Sequence, residues 1–347
     1  MYNTIVIGAG QAGLSIGYYL KQNSDKFIIL DKGQEVGDSW RNRYDSLVLF
    51  TPRMYNSLPG LVFEGETHGF PSKFEVVNYL KRYTTTFNLP INLETEVVKV
   101  SKIKNVFYVK TNQGVFKSKN LIIATGAFQY PKMPLFSRDL SKEIYQVHSS
   151  QYKNPSQLKD GNVLIVGGGN SGAQIAVELS KERETYLAIN KKISYLPLSI
   201  QNKSIFWWFD KLGILKANTD SFLGKRIQKR GDPIFGYELK DAIKRKEVTI
   251  KSKVIAGKDN QITFGDLSTL NVNNIIWATG FESKYPWLEI EEVFNEKGQI
   301  IHSRGVSNIK GLYFIGLPWQ YRRGSALMQG VGFDAEFIVQ HLKHFSE

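Results

Sequence analysis

A chain of 347 residues, 42% hydrophobic and 13% aromatic, has room for two domains of about 150 residues, each with its own core. It contains no cysteine, which excludes structural disulfides, thiolate metal sites and a redox-active dithiol. The formal net charge of +13 suits anionic partners, but the lysines are scattered, as at Lys99, Lys102, Lys104, Lys110, Lys117 and Lys119, and neither a nucleic-acid motif nor metal-ligand histidine spacing occurs, so the charge reads as a basic surface that attracts anionic cofactors, with no nucleic acid and no metal.

The chain is expected to open directly in a strand with no signal peptide, and no later apolar run approaches the ~18 residues of a spanning helix. A cytoplasmic protein without a transmembrane segment is expected. Ile5-Val6-Ile7 feeds Gly8-Ala9-Gly10-Gln11-Ala12-Gly13, and a helix-like run follows. In such a Gly-x-Gly-x-x-Gly turn the first glycine permits the bend. The second removes a side chain where a pyrophosphate approaches the backbone, and the third lets the helix pack on the strand. The N–H groups of the helix N-terminus then meet the phosphates. The next strand, Phe27-Ile28-Ile29-Leu30, ends at Asp31, 18 residues past Gly13 (31 minus 13), followed by Lys32. A carboxylate there accepts from a ribose hydroxyl, and FAD is expected at this turn. A helix is predicted over Phe74–Phe87, then short strands around Glu94–Ser101, Asn105–Thr111 and Gly114–Lys117. Asn120–Ile123 reads as a buried strand ending in Ala124-Thr125-Gly126, and polar Tyr152–Asp160 as a linker.

Leu164-Ile165-Val166 then leads into a second fingerprint, Gly167-Gly168-Gly169-Asn170-Ser171-Gly172, 159 residues after the first (167 minus 8). Two copies, each between a strand and a helix, imply two nucleotides facing each other and electron transfer between them. The second strand of this unit, Thr185–Ile189, ends at Asn190, 18 residues past Gly172 (190 minus 172), and Lys191 and Lys192 follow. A carboxylate would repel a 2′-phosphate, whereas an amide beside lysines accepts one. NADPH is therefore expected here. NADH is the alternative donor, because lysine lacks arginine's fork. Asn170 is a candidate for positioning the nicotinamide or the flavin, with helix capping as its structural alternative. Aromatic Ser204–Leu215 reads as the local core of a helical insertion at about 200–245. An entry wall, a homodimer contact or a monotopic membrane contact are its functional alternatives. Asn274–Trp277 closes the unit in Ala278-Thr279-Gly280. At both Ala-Thr-Gly segments small residues let the chain pass close to a bound nucleotide. Gly311–Gly316 is a last strand, and from about Ser325 a helix runs to the end, packed on the first domain with its positive end toward the flavin's electron-rich edge.

The fold class is therefore α/β, with two Rossmann-like dinucleotide-binding domains: an FAD-binding domain, 1–153 and 281–347, and a smaller NAD(P)H-binding domain, 154–280, inserted into it.

Further segments are Gly37-Asp38-Ser39-Trp40-Arg41-Asn42-Arg43-Tyr44-Asp45-Ser46-Leu47, Val147-His148-Ser149-Ser150-Gln151-Tyr152, Leu196-Pro197 and Gly316-Leu317-Pro318-Trp319-Gln320-Tyr321-Arg322-Arg323-Gly324-Ser325-Ala326. With the two fingerprints, the two Ala-Thr-Gly segments and the missing dithiol, they make the chain resemble the flavin-containing monooxygenases, a class B flavoprotein family. The likeness is strongest to small bacterial members labelled as cation-efflux-associated oxidoreductases, and it covers nearly the whole chain. The resemblance implies that Trp40 and Arg41 lie against FAD. His148 and Tyr152 match the end of the family's Phe-x-Gly-x-x-x-His-x-x-x-Tyr signature, while Lys142 and Ile144 stand where its Phe and Gly would be. Phe50 stands where the family has a flavin-site Asn implied to hold NADP⁺ and the oxygenated flavin. A phenyl ring supplies no hydrogen bond but excludes water.

What the resemblance implies is hydride transfer from NADPH to the flavin, addition of O₂ at its C4a atom, and transfer of one oxygen to a small soft nucleophile, a sulfide or amine, or to a ketone. No side-chain nucleophile is required, so no catalytic side chain is assigned. Two other classes are weighed. A reductase feeding a carrier protein or quinone would usually end its last strand in Gly-Asp, where this chain has Gly316-Leu317. A flavoprotein redox sensor in metal-ion homeostasis would turn over NADPH slowly with every acceptor. The Asn190-Lys191-Lys192 reading makes kcat/KM higher with NADPH than with NADH; steady-state rates with the two donors check it, and equal values would remove it.

Overall fold

In the computed structural model, which describes residues 1–344, each fingerprint unit builds its own sheet around parallel strands. In the first, Ile91–Asn92, Phe27–Leu30, Tyr2–Ile7, Gly114–Ile123 and Leu312–Phe314 lie in that spatial order and are parallel, and Val306–Ser307 and His302–Ser303 extend the edge antiparallel. The second runs Val248–Lys251, Thr185–Ala188, Val163–Val166, Asn274–Trp277, Tyr145–His148, all parallel. The central strands read as unbroken apolar runs because both faces are covered. Ile5, Val6, Val163, Leu164 and Ile165 are fully buried.

One face of the first sheet packs on the helices Gln11–Gln22 and Met328–His344, through Leu14, Ile16, Val331 and Ile338. The C-terminal helix starts after the expected Ser325 because Arg323–Ala326 first makes a 3₁₀ turn; the end of the chain that was expected to continue it lies outside the described residues. The predicted Phe74–Phe87 helix is Lys73–Thr86, opened by a capping box in which Ser72 and Glu75 bond each other's backbone N–H.

Two predicted strands, Gly114–Lys117 and Asn120–Ile123, are one ten-residue strand, Gly114–Ile123. Its outer half pairs antiparallel with Val106–Thr111, and its inner half lies between the parallel strands Tyr2–Ile7 and Leu312–Phe314. The polar outer half and apolar inner half looked like separate elements because only the inner half is covered on both faces. The second unit also carries an antiparallel meander, Val254–Lys258, Gln261–Phe264 and Thr269–Asn271, ahead of its last strand.

The chain crosses between sheets twice, and the crossings pair with each other: Tyr130–Pro131 runs antiparallel to Phe281–Glu282. The outward crossing lies earlier than the expected boundary at 153 and 154, since Tyr145–His148 is already a strand of the second sheet. Tyr152, read as the start of a linker, is fully buried and donates to Glu178 Oε2 at 2.9 Å. Its polar neighbours face solvent while its ring fills the core, a contrast that segment composition averages away. Between Thr185–Ala188 and Val248–Lys251 the insertion holds three helices, Ile205–Lys211, Phe222–Arg230 and Glu238–Lys244.

Lys73 is the unexpected core residue, 1% exposed. Its ammonium donates to the Arg41 and Arg43 carbonyl oxygens and to Asp45 Oδ1, which ties the 41–45 loop to the helix it begins. Lys73→Met keeps the stem and removes three charge-assisted donors, leaving two carbonyls unpaired. A loss of about 2–3 kcal/mol in urea unfolding is expected.

Candidate functional site

The two fingerprints have the same geometry. Gly8 has φ +108° and Gly167 φ +125°, backbone conformations that side chains resist. A Cβ on Gly8 would lie 2.6 Å from the Ala124 carbonyl oxygen, and one on Gly167 2.2 Å from that of Ala278. The first glycine of each turn is thus pressed against the alanine of the matching Ala-Thr-Gly segment. A Cβ on Gly13 would come within 1.8 Å of Gly8 O, and one on Gly172 within 2.0 Å of Gly167 O, so the third glycines let the helices seat on the turns. At Gly10 and Gly169 a Cβ would meet nothing within 4 Å. These two positions open outward at helix N-termini that no side chain caps. Such open cradles with unclaimed N–H groups fit a pyrophosphate at each turn.

Around the first turn, Asp31 accepts from Ala9 N–H at 2.6 Å and from Gly33 N–H at 2.7 Å. The carboxylate is thereby fixed at the end of its strand with lone pairs to spare. Trp40 donates from Nε1 to Gln11 Oε1 at 3.3 Å, which sets its indole over the first helix turn. Ala12 meets the Gly316 end of the last strand. Arg41, expected against FAD, pairs its guanidinium with Glu35, and Lys32 is exposed. Thr125 Oγ1 and Gly126 O both take hydrogen bonds from the Gln129 amide.

Around the second turn, Asn170 neither caps its helix nor stands free. Its amide donates to Pro233 O at 3.0 Å and accepts from Phe235 N–H at 3.1 Å, clamping the insertion to the fingerprint. Asn190, Lys191 and Lys192 are exposed together past the second strand. Lys191 lies beside Gly231, where a Cβ would be 3.1 Å from its Nζ. Thr279 donates to the Lys132 carbonyl on the outward crossing. His148, buried, meets Gly280 O at 3.0 Å through Nε2, while Nδ1 accepts from Ser150 N–H at 3.2 Å. Burial holds its pKa below the usual imidazole value, and the neutral Nε2–H form suits these partners.

The loop after Trp40 joins the two turns. Arg43 donates to Ser171 Oγ, on the first turn of the second helix, at 3.3 Å. Its guanidinium lies 5.6 Å from the Phe128 ring and 5.7 Å from that of Phe281, the aromatic pair of the crossings. Burial lowers its pKa. Tyr44 donates to Gln174 Oε1 at 2.9 Å, and Gln174 donates back to Val48 O at 3.1 Å. Burial pushes the Tyr44 phenol up to about 12. Downstream, Phe50 stacks on Phe235 at 4.6 Å between centroids and on Phe206 at 6.1 Å, while Tyr55 donates to Asp210 Oδ2 at 3.2 Å. The insertion therefore closes on the first domain through an aromatic wall. Arg43, Tyr44 and Lys73 are not among the expected site residues; for Arg43 and Tyr44 the signal was their place in the Gly37–Leu47 segment, one residue past the Trp40-Arg41 pair.

With this geometry in place, the chain belongs to the pyridine nucleotide-disulphide oxidoreductase family, whose model matches residues 5–195. It is 65% identical, over 99% of both chains, to an uncharacterized oxidoreductase, CzcO, of Bacillus subtilis (strain 168). It is 27% identical to the probable indole-3-pyruvate monooxygenase YUCCA4 of Arabidopsis thaliana, over 97% of this chain and 89% of that one. The fold matches a flavin-containing monooxygenase from Stenotrophomonas maltophilia with a TM-score of 0.84 at 24% identity, covering 100% of this chain and 99% of that one. The chain is an oxidoreductase, and the disulphide chemistry of the family's name has no cysteine to act through here. Among the described residues no group of His, Asp and Glu could hold a metal ion, and no helix is long and apolar enough to cross a membrane.

The glycine geometry separates binding from folding. Gly169→Ala is expected to keep the wild-type Tm and flavin content while raising KM for the nicotinamide donor at least tenfold, because its methyl fills the open cradle. Gly13→Ala drives a methyl into a backbone oxygen and is expected to cost about 4 kcal/mol or more of stability, read by thermal unfolding.

Proposed function

We propose that this chain is an FAD-dependent monooxygenase that oxidises NADPH and inserts one oxygen atom of O₂ into a small soft nucleophile, a sulfide or amine, or into a ketone. The observation that carries this reading is the Trp40–Val48 loop. It stitches the first nucleotide turn to the second through Arg43–Ser171 and Tyr44–Gln174, in a chain with no cysteine to receive electrons. Residues at such a junction would hold a flavin beside a nicotinamide, and a flavin so held would supply electron transfer to a small diffusible acceptor. The Arabidopsis relative is a probable indole-3-pyruvate monooxygenase and the Stenotrophomonas protein a flavin-containing monooxygenase, which supports the same direction.

Each residue then has a physical task. The N–H groups behind Gly10 and Gly169 hold the two pyrophosphates. Asp31, already oriented by Ala9 and Gly33, accepts from the flavin-side ribose. Asn190, Lys191 and Lys192 receive the 2′-phosphate, a role that exposure of all three permits. Bound flavin supplies a two-electron acceptor for the nicotinamide hydride and, when reduced, the reaction with O₂. Phe50, Phe206 and Phe235 form an apolar wall that excludes water between the domains.

Rapid mixing of the NADPH-reduced protein with oxygenated buffer tests the proposal. The expected result is a transient absorbance band that matches neither reduced nor oxidised flavin and lives longer with NADP⁺ present. Direct return to oxidised flavin, with one peroxide released per NADPH, would instead make the chain a reductase for another acceptor. Restoring an amide in Phe50→Asn is expected to lengthen the band's lifetime severalfold.

A further inference from the structure

The helix Phe222–Arg230 differs from every other long helix of the chain in what it buries. Gly224 is its only buried residue, and Ile227 is the only other position that is not exposed. At Gly224 the backbone is pressed onto the preceding turn, where a Cβ would lie 1.8 Å from Asn218 O. That turn is fixed in place, since Thr219 N–H donates to Tyr321 O at 2.8 Å and Asn218 Nδ2 to the Tyr321 hydroxyl at 3.3 Å. The helix thus has a fixed inner side, marked by Gly224, and a free outer side.

Its sequence is sorted by that division. With about 100° between successive residues, Phe222, Arg226, Lys229, Arg230 and Lys225 all fall within about 80° of the direction opposite Gly224. Four cations share this face with no acid, and Phe222, 81% exposed, stands among them. Leu223, 40% exposed, flanks it. Lys225 and Lys229, like Arg226 and Arg230, are four residues apart, a spacing at which like charges repel on a helix. Nine residues are too few for a helix to persist in water on propensity alone. Among the described residues no carboxylate forms an ion pair with these four cations, and the phenyl ring of Phe222 stays uncovered.

We propose that this face is a docking surface for an anionic lipid bilayer. The surface negative potential offsets the clustered cations, and the headgroup boundary takes up Phe222 and Leu223. The same insertion exposes Leu212 (68%) and Ile200 (42%), and its Lys203 and Lys211 ammonium groups lie 6.0 and 5.6 Å from the Trp207 ring. The mix of basic and apolar side chains therefore continues beyond the helix.

Co-sedimentation of the full FAD-loaded chain with vesicles tests this. In about 0.1 M salt the protein is expected on phosphatidylglycerol–phosphatidylcholine vesicles and absent from pure phosphatidylcholine. Each surface cation contributes about fivefold, so Lys225→Gln with Arg226→Gln lowers partitioning roughly 25-fold, and Phe222→Ser lowers it at least threefold. The charge-matched control pair, Lys258→Gln with Lys297→Gln, changes it less than twofold. Lys229 and Arg230 are left intact because their end of the helix adjoins Lys191, so NADPH oxidation without vesicles stays at the wild-type rate in all variants. Absence of binding to both vesicles, an equal loss in the control pair, or tighter binding to single-stranded DNA than to anionic vesicles overturns the proposal.

Discussion

Two backbone contacts that admit no side chain organise this molecule: Gly8 on Ala124 and Gly167 on Ala278. Each joins the end of one central strand to the end of its neighbour. Because the first glycine has no Cβ, the turn can lie against the neighbouring carbonyl, and the following helix can sit down on the turn through Gly13 or Gly172. The helix N-terminus then points its unbonded N–H groups into open space at Gly10 or Gly169. A residue with a side chain at any of the pressed positions would lift the helix off the strand. The cradle would be lost along with the packing.

The relation between the two cradles depends on different forces. A short loop, Trp40–Val48, leaves the first unit and bonds to the second through Arg43, Tyr44 and Val48. Such a loop needs an internal anchor, and buried Lys73 is that anchor, with three oxygens around its ammonium. The paired crossings and the aromatic contacts of Phe50 add further ties. Also between domains, Arg323 donates to Asp232 at 2.9 Å, and its guanidinium lies 5.3 Å from the Phe235 ring. Polar bonds set the direction of the junction and apolar rings close it. A guanidinium there gives up part of its hydration, which is why burial lowers the Arg43 pKa.

Much of the fold was legible along the chain. Glycine spacing and apolar runs are local, and both fingerprints, the Ala-Thr-Gly strand ends and the Lys73–Thr86 helix stood where their patterns put them. Asp31 was legible for the same reason, as a carboxylate at a strand end. The strand Gly114–Ile123 was read as two pieces because its halves face different environments. Tyr152 was taken for a linker residue because one buried ring does not show among polar neighbours. Asn170 is a candidate for positioning the nicotinamide or flavin, with capping as its alternative; the structure shows no cap and adds partners at Pro233 and Phe235, more than sixty positions away. Arg41 is expected at the flavin, and the structure adds an ion pair with Glu35 that the sequence did not show.

By itself the sequence determined the two nucleotide units, their helix–strand turns and the absence of thiol chemistry, since each follows from residue type and spacing within some thirty positions. Only the tertiary structure decided how those units meet. It set Arg43 on Ser171, buried Lys73 beneath the loop, stacked Phe50 on Phe235 and left the basic face of Phe222–Arg230 exposed. Those outcomes depend on long-range packing and on which polar groups burial leaves in need of a bond, and neither is written in any local pattern.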